Sequence, residues 1–112
     1  MRPVRLPGRL LRPAPGLLCA ALAAAAAQPA THTITVENMV YSPASLTVHR
    51  GDRITWVNKD LFPHTASALG GAFDSGAIAA DGSWSYVAAK SGDFAYDCRF
   101  HPTMHGRLKV DP

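Results

Sequence analysis

Short stretches of alternating apolar and polar residues run through most of the chain after residue 31. In these stretches the apolar side chains recur at every second position, as Leu46 and Val48 do, and as Ile54 and Trp56 do. That period is typical of a β-strand with one face in a core and the other in solvent. The pattern predicts strands at residues 33–36, 45–49, 53–57, 83–87, 93–98 and 106–110.

Turn-forming residues separate these stretches, at 42–43, 50–52 and 58–60. Their spacing is typical of an all-β sandwich or barrel. Residues 66–82 are rich in Gly, Ala, Ser and Asp, and they leave open a short strand around Phe73 or a loop. No stretch has sustained helical periodicity. We therefore expect an all-β domain of about seven to eight short strands, arranged as a Greek-key β-sandwich.

The first 27 residues differ in kind from the rest. Four arginines precede an uncharged apolar run of 11 residues at 17–27, which ends in three alanines. A transmembrane helix needs about 20 apolar residues, so this run is typical of a cleaved secretory signal instead. We expect cleavage after Ala27, with Ala30 as the alternative. The expected organisation is a signal at 1–27 and one domain at 28–112, located in the periplasm with no membrane span.

The net charge depends on this segment. The whole chain carries +3 with a pI near 9.2, but four of its eleven basic residues lie in the expected signal. Seven basic and eight acidic residues then remain, which makes the net charge of the mature chain −1. A basic chain often indicates binding to nucleic acid or to an anionic membrane, but the mature chain is not basic, so neither partner is expected.

The cysteine content restricts how the mature domain is stabilised. Cys19 falls within the expected signal, so only Cys98 remains and an intramolecular disulfide is impossible. A domain of about 85 residues buries little surface and often needs a disulfide or a metal. A lone thiol is also a liability in an oxidising compartment unless something occupies it.

Residues 98–105, with the sequence CRFHPTMH, bring a thiol, two imidazoles and a thioether close together. Cys98, His101 and Met104 offer the soft and borderline donors that suit copper, whereas hard cations would require carboxylates that this segment lacks. We expect the strand to end at Cys98 and a tight loop containing Pro102 and Gly106 to follow. Two ligands and a weak third are too few, so another imidazole is needed, and the loop histidine His64 is the obvious source.

Each of these residues also has an ordinary interpretation. An isolated buried cysteine is usually a small hydrophobe, and a methionine usually fills a core. His105 is adjacent to Met104 and competes with it as the fourth donor. Other notable side chains are assigned to structure or solvent: Trp56 and Trp84 to the core or a half-buried surface, His32 and His49 to solvent, and Met39 to packing.

A close resemblance to the blue-copper cupredoxins, and to their amicyanin- and plastocyanin-like branch, is carried by two segments. These are MVYSPASLTVHRGDRITWVNKDLFPHT and GDFAYDCRFHPTMHGRLKV, and the resemblance covers nearly all of residues 31–110. The resemblance implies one copper ion, cycling between Cu(I) and Cu(II), in a trigonal plane of His64, Cys98 and His101, with Met104 as a long axial contact. It also implies that Asn58 ties the His64 loop to the cysteine loop, whereas turn chemistry alone is the other explanation for this asparagine.

The resemblance further implies a monomeric one-electron carrier between redox partner proteins rather than an enzyme. Electrons would pass through the edge of His101, inside an apolar patch. The patch would consist of Met39, Leu61, Phe62, Pro63 and Pro102. Three alternatives stay open: a copper trafficking or tolerance protein of the same fold, a thiol-dependent enzyme using Cys98, and a β-sandwich binding module.

Overall fold

The structure is a computed structural model that describes residues 2–5, 8 and 28–112. The apolar run at 17–27, the expected cleavage after Ala27, and Cys19 lie outside the described residues. Within the described ranges, no helix has the length and apolar character needed to cross a membrane.

Eight β-strands account for the regular structure of the described residues. They are β1 (Thr31–Glu37), β2 (Val40–Ser42), β3 (Ser45–His49), β4 (Arg53–Asn58), β5 (Ser67–Ala68), β6 (Ser83–Val87), β7 (Gly92–Cys98) and β8 (His101–Asp111). The six strands expected from the alternating pattern are all present, and the all-β prediction is confirmed.

The strands form two four-stranded sheets, ordered β2-β1-β4-β6 and β3-β8-β7-β5. The pairs β1 with β4 and β3 with β8 are parallel, whereas the other neighbours are antiparallel. Parallel neighbours cannot be joined by a tight hairpin, so the chain crosses between the sheets instead. This arrangement is a β-sandwich, as the sequence predicts.

The core lies between the two sheets because alternate side chains of each strand face inward. Along β4 these are Ile54 and Trp56, which are fully buried. The Trp56 ring lies 5.6 Å from that of Tyr96 on the opposite sheet and 5.5 Å from that of Phe73, measured between ring centroids. Tyr96 in turn covers the backbone of Gly106, where any Cβ would overlap the tyrosine ring. Glycine is therefore required at that position of β8.

One feature of the fold departs from the sequence prediction. The strand β2 was not predicted. It pairs with β1 through a two-residue turn in which Asn38 and Met39 both have positive φ, 54° and 63°. Such a turn suits a hairpin, but methionine is an unusual residue for it.

Of the two alternatives left open around Phe73, the structure has the loop. Phe73 is buried there without being part of a strand.

The expectation that His32 is solvated is also wrong. Its Nε2 lies 2.9 Å from Oδ2 of Asp52, and only 27% of its side chain is exposed. The Asp52 carboxylate additionally accepts hydrogen bonds from the backbone N–H groups of His49 and Ala30. The bonds from His49, His32 and Ala30 lower the pKa of Asp52 to about 2. Asp52 therefore ties the start of β1 to the turn before β4. His49 itself is exposed, as predicted.

Asp52→Asn tests this tie through the pH dependence of stability. Because the folded state lowers the pKa from 3.8 to about 2, ionised Asp52 stabilises the fold above pH 3.8, and this contribution is lost as the pH falls to about 2. We expect the variant to unfold at lower urea concentration than the wild type near neutral pH, with the difference disappearing towards pH 2. Asp93→Asn, at a half-exposed carboxylate, is the control. A difference for Asp52→Asn that stays constant across this range would contradict the assignment.

Candidate metal centre

His64 lies in the loop that follows β4, and its backbone is held from both directions. The His64 N–H donates to the carbonyl of Ile78 at 3.1 Å, and the Ile78 N–H donates to the carbonyl of His64 at 2.7 Å. The side chain is completely buried. This isolated two-way pairing holds an otherwise irregular segment in place, so the imidazole has a defined position at one end of the sandwich.

Cys98 is the last residue of β7, and the chain reverses more sharply after it than expected. A register shift between Asp97 and Cys98 pairs Cys98 with His101, so the turn contains only Arg99 and Phe100. The predicted loop through Pro102 to Gly106 is therefore wrong, because β8 already begins at His101. Strand pairing places His101 directly beside Cys98.

Three of the four expected ligands converge in the described part of the chain. The Sγ of Cys98 lies 3.8 Å from Nδ1 of His64 and 3.6 Å from Nδ1 of His101. The three donor atoms all lie within 4.8 Å of one another. His64 and Cys98 are buried, whereas His101 is half-buried. One nitrogen of each imidazole therefore faces the thiol.

The fourth expected donor, Met104, lies on β8 and is 1% exposed within the same core cluster as Cys98. His105, its competitor in the sequence, is exposed and lies opposite Asp97 in the sheet. Since a donor to a buried centre must itself face the interior, burial favours Met104. The choice of Met104 as a ligand stays a prediction.

Thr65 connects the His64 loop to the cysteine turn. Its backbone N–H donates to Sγ of Cys98 at 3.3 Å, and its hydroxyl accepts the N–H of Arg99 at 2.9 Å. The sequence resemblance assigned this connection to Asn58, and that expectation is wrong. The buried Asn58 amide instead donates to the carbonyls of Phe62 and Ile78, both at 2.9 Å. Asn58 therefore shapes the histidine loop alone.

Asp60 is a further residue of the site that the sequence analysis missed. Its Oδ2 lies 2.7 Å from Nε2 of His64, the ring nitrogen that faces away from Cys98. Burial favours the neutral carboxylic acid, but hydrogen bonds from Met39, His64 and Asn38 outweigh it and lower the pKa of Asp60. The turn-forming sequence at 58–60 was by itself a sufficient reason for an aspartate at this position, so no role in the site was predicted for it. Its position four residues before a candidate ligand was the available signal.

Exposed apolar side chains lie near His101, either beside its ring or close to it in the sequence. The Phe62 ring centroid lies 5.6 Å from that of His101, and Phe62 is 44% exposed. Leu61 is 93% and Phe100 is 52% exposed. The expected patch residues Pro63 and Pro102 are also exposed, whereas Met39 is half-buried. Phe100 was missed because it lies between two donors, where its exposure cannot be predicted from the sequence.

The chemistry of this arrangement favours a metal over a nucleophile. A thiol-dependent enzyme requires a thiol that substrate can reach, whereas Cys98 is 1% exposed. Thiolate, two imidazoles and a buried thioether match the donor set of a copper electron-transfer site. His64, Cys98 and His101 therefore fit such an ion, and Met104 is the residue available to complete the set.

The sequence of this chain is similar to a known protein family and to two amicyanins. The family model described as a cupredoxin-like domain matches residues 14–110. Amicyanin of Paracoccus denitrificans is 30% identical over 94 residues, which cover 78% of this chain and 72% of the relative. Amicyanin of Paracoccus versutus is 29% identical over 94 residues, covering 79% and 71%.

Solved structures of amicyanin variants resemble this one as well. The Cu(I) form of a methionine-to-alanine variant is 28% identical, with a TM-score of 0.67, over 79% of this chain and 88% of the other. The oxidised state of a proline-to-alanine variant is 27% identical with the same TM-score of 0.67, over 72% and 82%. The structural similarity therefore covers 72% to 79% of this chain.

Thr65→Val tests the connection between the two loops. Valine keeps the shape of threonine but lacks the hydroxyl, so the part-buried Arg99 N–H and the buried Ser67 hydroxyl both lose a partner, at a cost of about 1–3 kcal/mol. We expect urea unfolding of the metal-free variant to show a loss of that size. Thr33→Val, on the exposed face of β1, should change stability by less than about 0.5 kcal/mol. Equal losses in the two variants would contradict the role of the Thr65 hydroxyl.

Proposed function

Because this chain belongs to the cupredoxin-like family, whose blue-copper members it resembles, we propose that it is a type 1 copper protein and a one-electron carrier. Its partners would be redox proteins, one that donates the electron and one that accepts it. The observation that carries the proposal is the convergence of the His64, Cys98 and His101 donor atoms within 4.8 Å of one another.

In this proposal Nδ1 of His64, the Cys98 sulfur and Nδ1 of His101 would hold one copper ion, and Met104 would supply the fourth donor. Copper bound there would alternate between Cu(I) and Cu(II), and so accept and release one electron. His64, Cys98 and Met104 are buried and exclude water from the inner side of the centre. This ligand set leaves no position for substrate, and catalytic metal centres keep such a position. An electron carrier therefore fits better than an oxidase.

The protein groups around the centre support rapid electron transfer because they are already fixed. Backbone pairing with Ile78 holds His64, and pairing of β7 with β8 holds Cys98 beside His101. The Thr65 N–H bond to the sulfur joins the two segments. A site whose ligands need little movement between the two copper states loses little energy to rearrangement, which favours a carrier.

The exposed apolar surface around His101 is the proposed docking site for redox partners. Contiguous exposed apolar side chains mark interaction sites on monomeric proteins, and here they surround the one candidate imidazole that reaches the surface. Leu61, Phe62 and Phe100 provide most of this surface. A partner that covers them would come close to the edge of His101, which we propose as the point of electron entry and exit.

The proposed location is the periplasm, and the proposed mature protein is a monomer beginning near residue 28. The basic and then apolar sequence of residues 2–27 supports export. A single cysteine that is occupied by metal is also compatible with an oxidising compartment.

The first test of this proposal is the visible spectrum after addition of Cu(II) to the purified protein. Charge transfer from thiolate to copper would produce an intense visible band, so the wild type should turn blue. We expect Cys98→Ser to lose nearly all of that absorption even where copper still binds. Thr33→Val, remote from the site on the exposed face of β1, is the control and should keep the band. An intact band in Cys98→Ser would exclude Cys98 as a ligand.

Retention of copper through a redox cycle separates a carrier from a trafficking or tolerance protein. We expect reversible voltammetry and stoichiometric copper in both the oxidised and the reduced protein after repeated cycles. A trafficking protein would hold Cu(I) and pass it to an acceptor. Rapid loss of Cu(I) to a competing chelator that leaves the Cu(II) protein intact would therefore favour trafficking.

A further inference from the structure

The carboxylate of Asp60 accepts three hydrogen bonds and connects His64 to a distant hairpin turn. Its Oδ1 accepts the N–H of Asn38 at 2.7 Å. Its Oδ2 accepts the N–H of Met39 at 3.0 Å and faces Nε2 of His64 at 2.7 Å. An ionised carboxylate can only accept hydrogen bonds, so Nε2 of His64 must carry the hydrogen. The lone pair of the neutral ring is then on Nδ1, the nitrogen that faces Cys98.

Asp60 is itself held by the end of β4 and by the β1–β2 turn. Its backbone N–H donates to Oδ1 of Asn58 at 2.9 Å, and the Asn58 side chain is fully buried. The turn at Asn38 and Met39 has positive φ at both residues, which directs two successive N–H groups at one carboxylate. The position of the carboxylate therefore depends on three separate segments: the end of β4, the β1–β2 turn and the histidine loop.

We propose that Asp60 is a positioning residue for the metal centre, which fixes the tautomer and orientation of His64 and so raises the donor strength of its Nδ1. Hydrogen bonding of the outer nitrogen to a carboxylate makes a histidine ligand more basic. The negative charge beside the ring also favours the more positive oxidised ion. Asp60 should therefore lower the reduction potential. This second effect rests on the proposed copper function, whereas the tautomer is a property of the metal-free chain.

The chain contains a matched control in Asp52. Its carboxylate also accepts two backbone N–H groups and faces one histidine Nε2, that of His32. Asp52 precedes β4 and Asp60 follows it, so the six residues of that strand separate them by about 20 Å. Substituting Asp52 thus removes a similar set of hydrogen bonds far from the metal centre.

The first experiment measures the tautomer of His64 in the copper-free protein by ¹⁵N NMR. We expect the wild type to hold a single tautomer with hydrogen on Nε2. Asp60→Ala should populate the other tautomer and speed the exchange of the Nε2 hydrogen with solvent, whereas Asp52→Ala should leave the His64 signals unchanged. Identical His64 signals in Asp60→Ala and the wild type would overturn the proposal.

The second experiment measures the reduction potential of Asp60→Asn, which removes the charge but keeps the size of the side chain. We expect the potential to rise, with Cu(II) binding weakened about 10- to 100-fold and Cu(I) binding weakened less. Asp52→Asn should leave both quantities at their wild-type values. A shift in Asp60→Asn no larger than that in Asp52→Asn would overturn the proposal.

These readouts distinguish failure of the inference from failure of the proposed function. A wild-type protein that binds no copper would contradict the electron-carrier proposal, while the ¹⁵N spectra of the copper-free protein would still decide whether Asp60 sets the His64 tautomer. A blue wild type with an unchanged potential in Asp60→Asn would contradict the role of Asp60 alone.

Discussion

The buried thiol of Cys98 is the point on which the metal-centre end of the molecule depends. It lies at the end of β7, and the Thr65 N–H that bonds to it belongs to the segment that leads from His64 into β5, the neighbour of β7 in the same sheet. Buried polar groups require partners, so this contact holds the His64 loop against the end of β7, where the candidate ligands meet. The Thr65 hydroxyl strengthens it by accepting the N–H of Arg99. The geometry of the metal site is therefore a consequence of how the His64 loop packs against the cysteine turn.

The two candidate histidine ligands differ chemically because they are packed differently. His64 is completely buried and bonded to a carboxylate on its outer nitrogen. His101 is half-buried and lies among exposed aromatic and aliphatic side chains. In the proposed function one imidazole is the fixed inner support of the metal, and the other is the route between metal and partner. The same set of donors would thus hold the metal rigidly and leave it open to a partner protein only on the His101 side.

Aspartates with similar hydrogen bonds lie at the two ends of β4, but they connect different parts of the molecule. At its start, Asp52 accepts the backbone N–H groups of Ala30, before β1, and of His49, at the end of β3, and so secures the end of the sandwich away from the metal centre. At its end, Asp60 binds the β1–β2 turn together with His64. Both aspartates belong to short turn sequences, where local chemistry already accounts for their presence. Their longer-range partners appear only once β1 and β4 lie side by side in parallel.

The alternating pattern by itself determined the two-layer all-β architecture, because a period of two is a local property of any half-buried strand. The cluster from Cys98 to Met104 and the loop histidine His64 likewise determined the candidate metal site, because soft donors at this spacing have few other uses. Tertiary structure alone decided β2, the burial of Phe73, the sharp turn at Arg99 and Phe100, and the partners of Thr65, Asp60 and Asn58. Asp60 meets Asn38 and Met39 across 22 and 21 residues, and Thr65 meets Cys98 across 33. Hydrogen bonds over such separations form only when strand pairing within each sheet, β1 with β4 and β5 with β7, brings the segments together, and no local pattern of side chains encodes that juxtaposition.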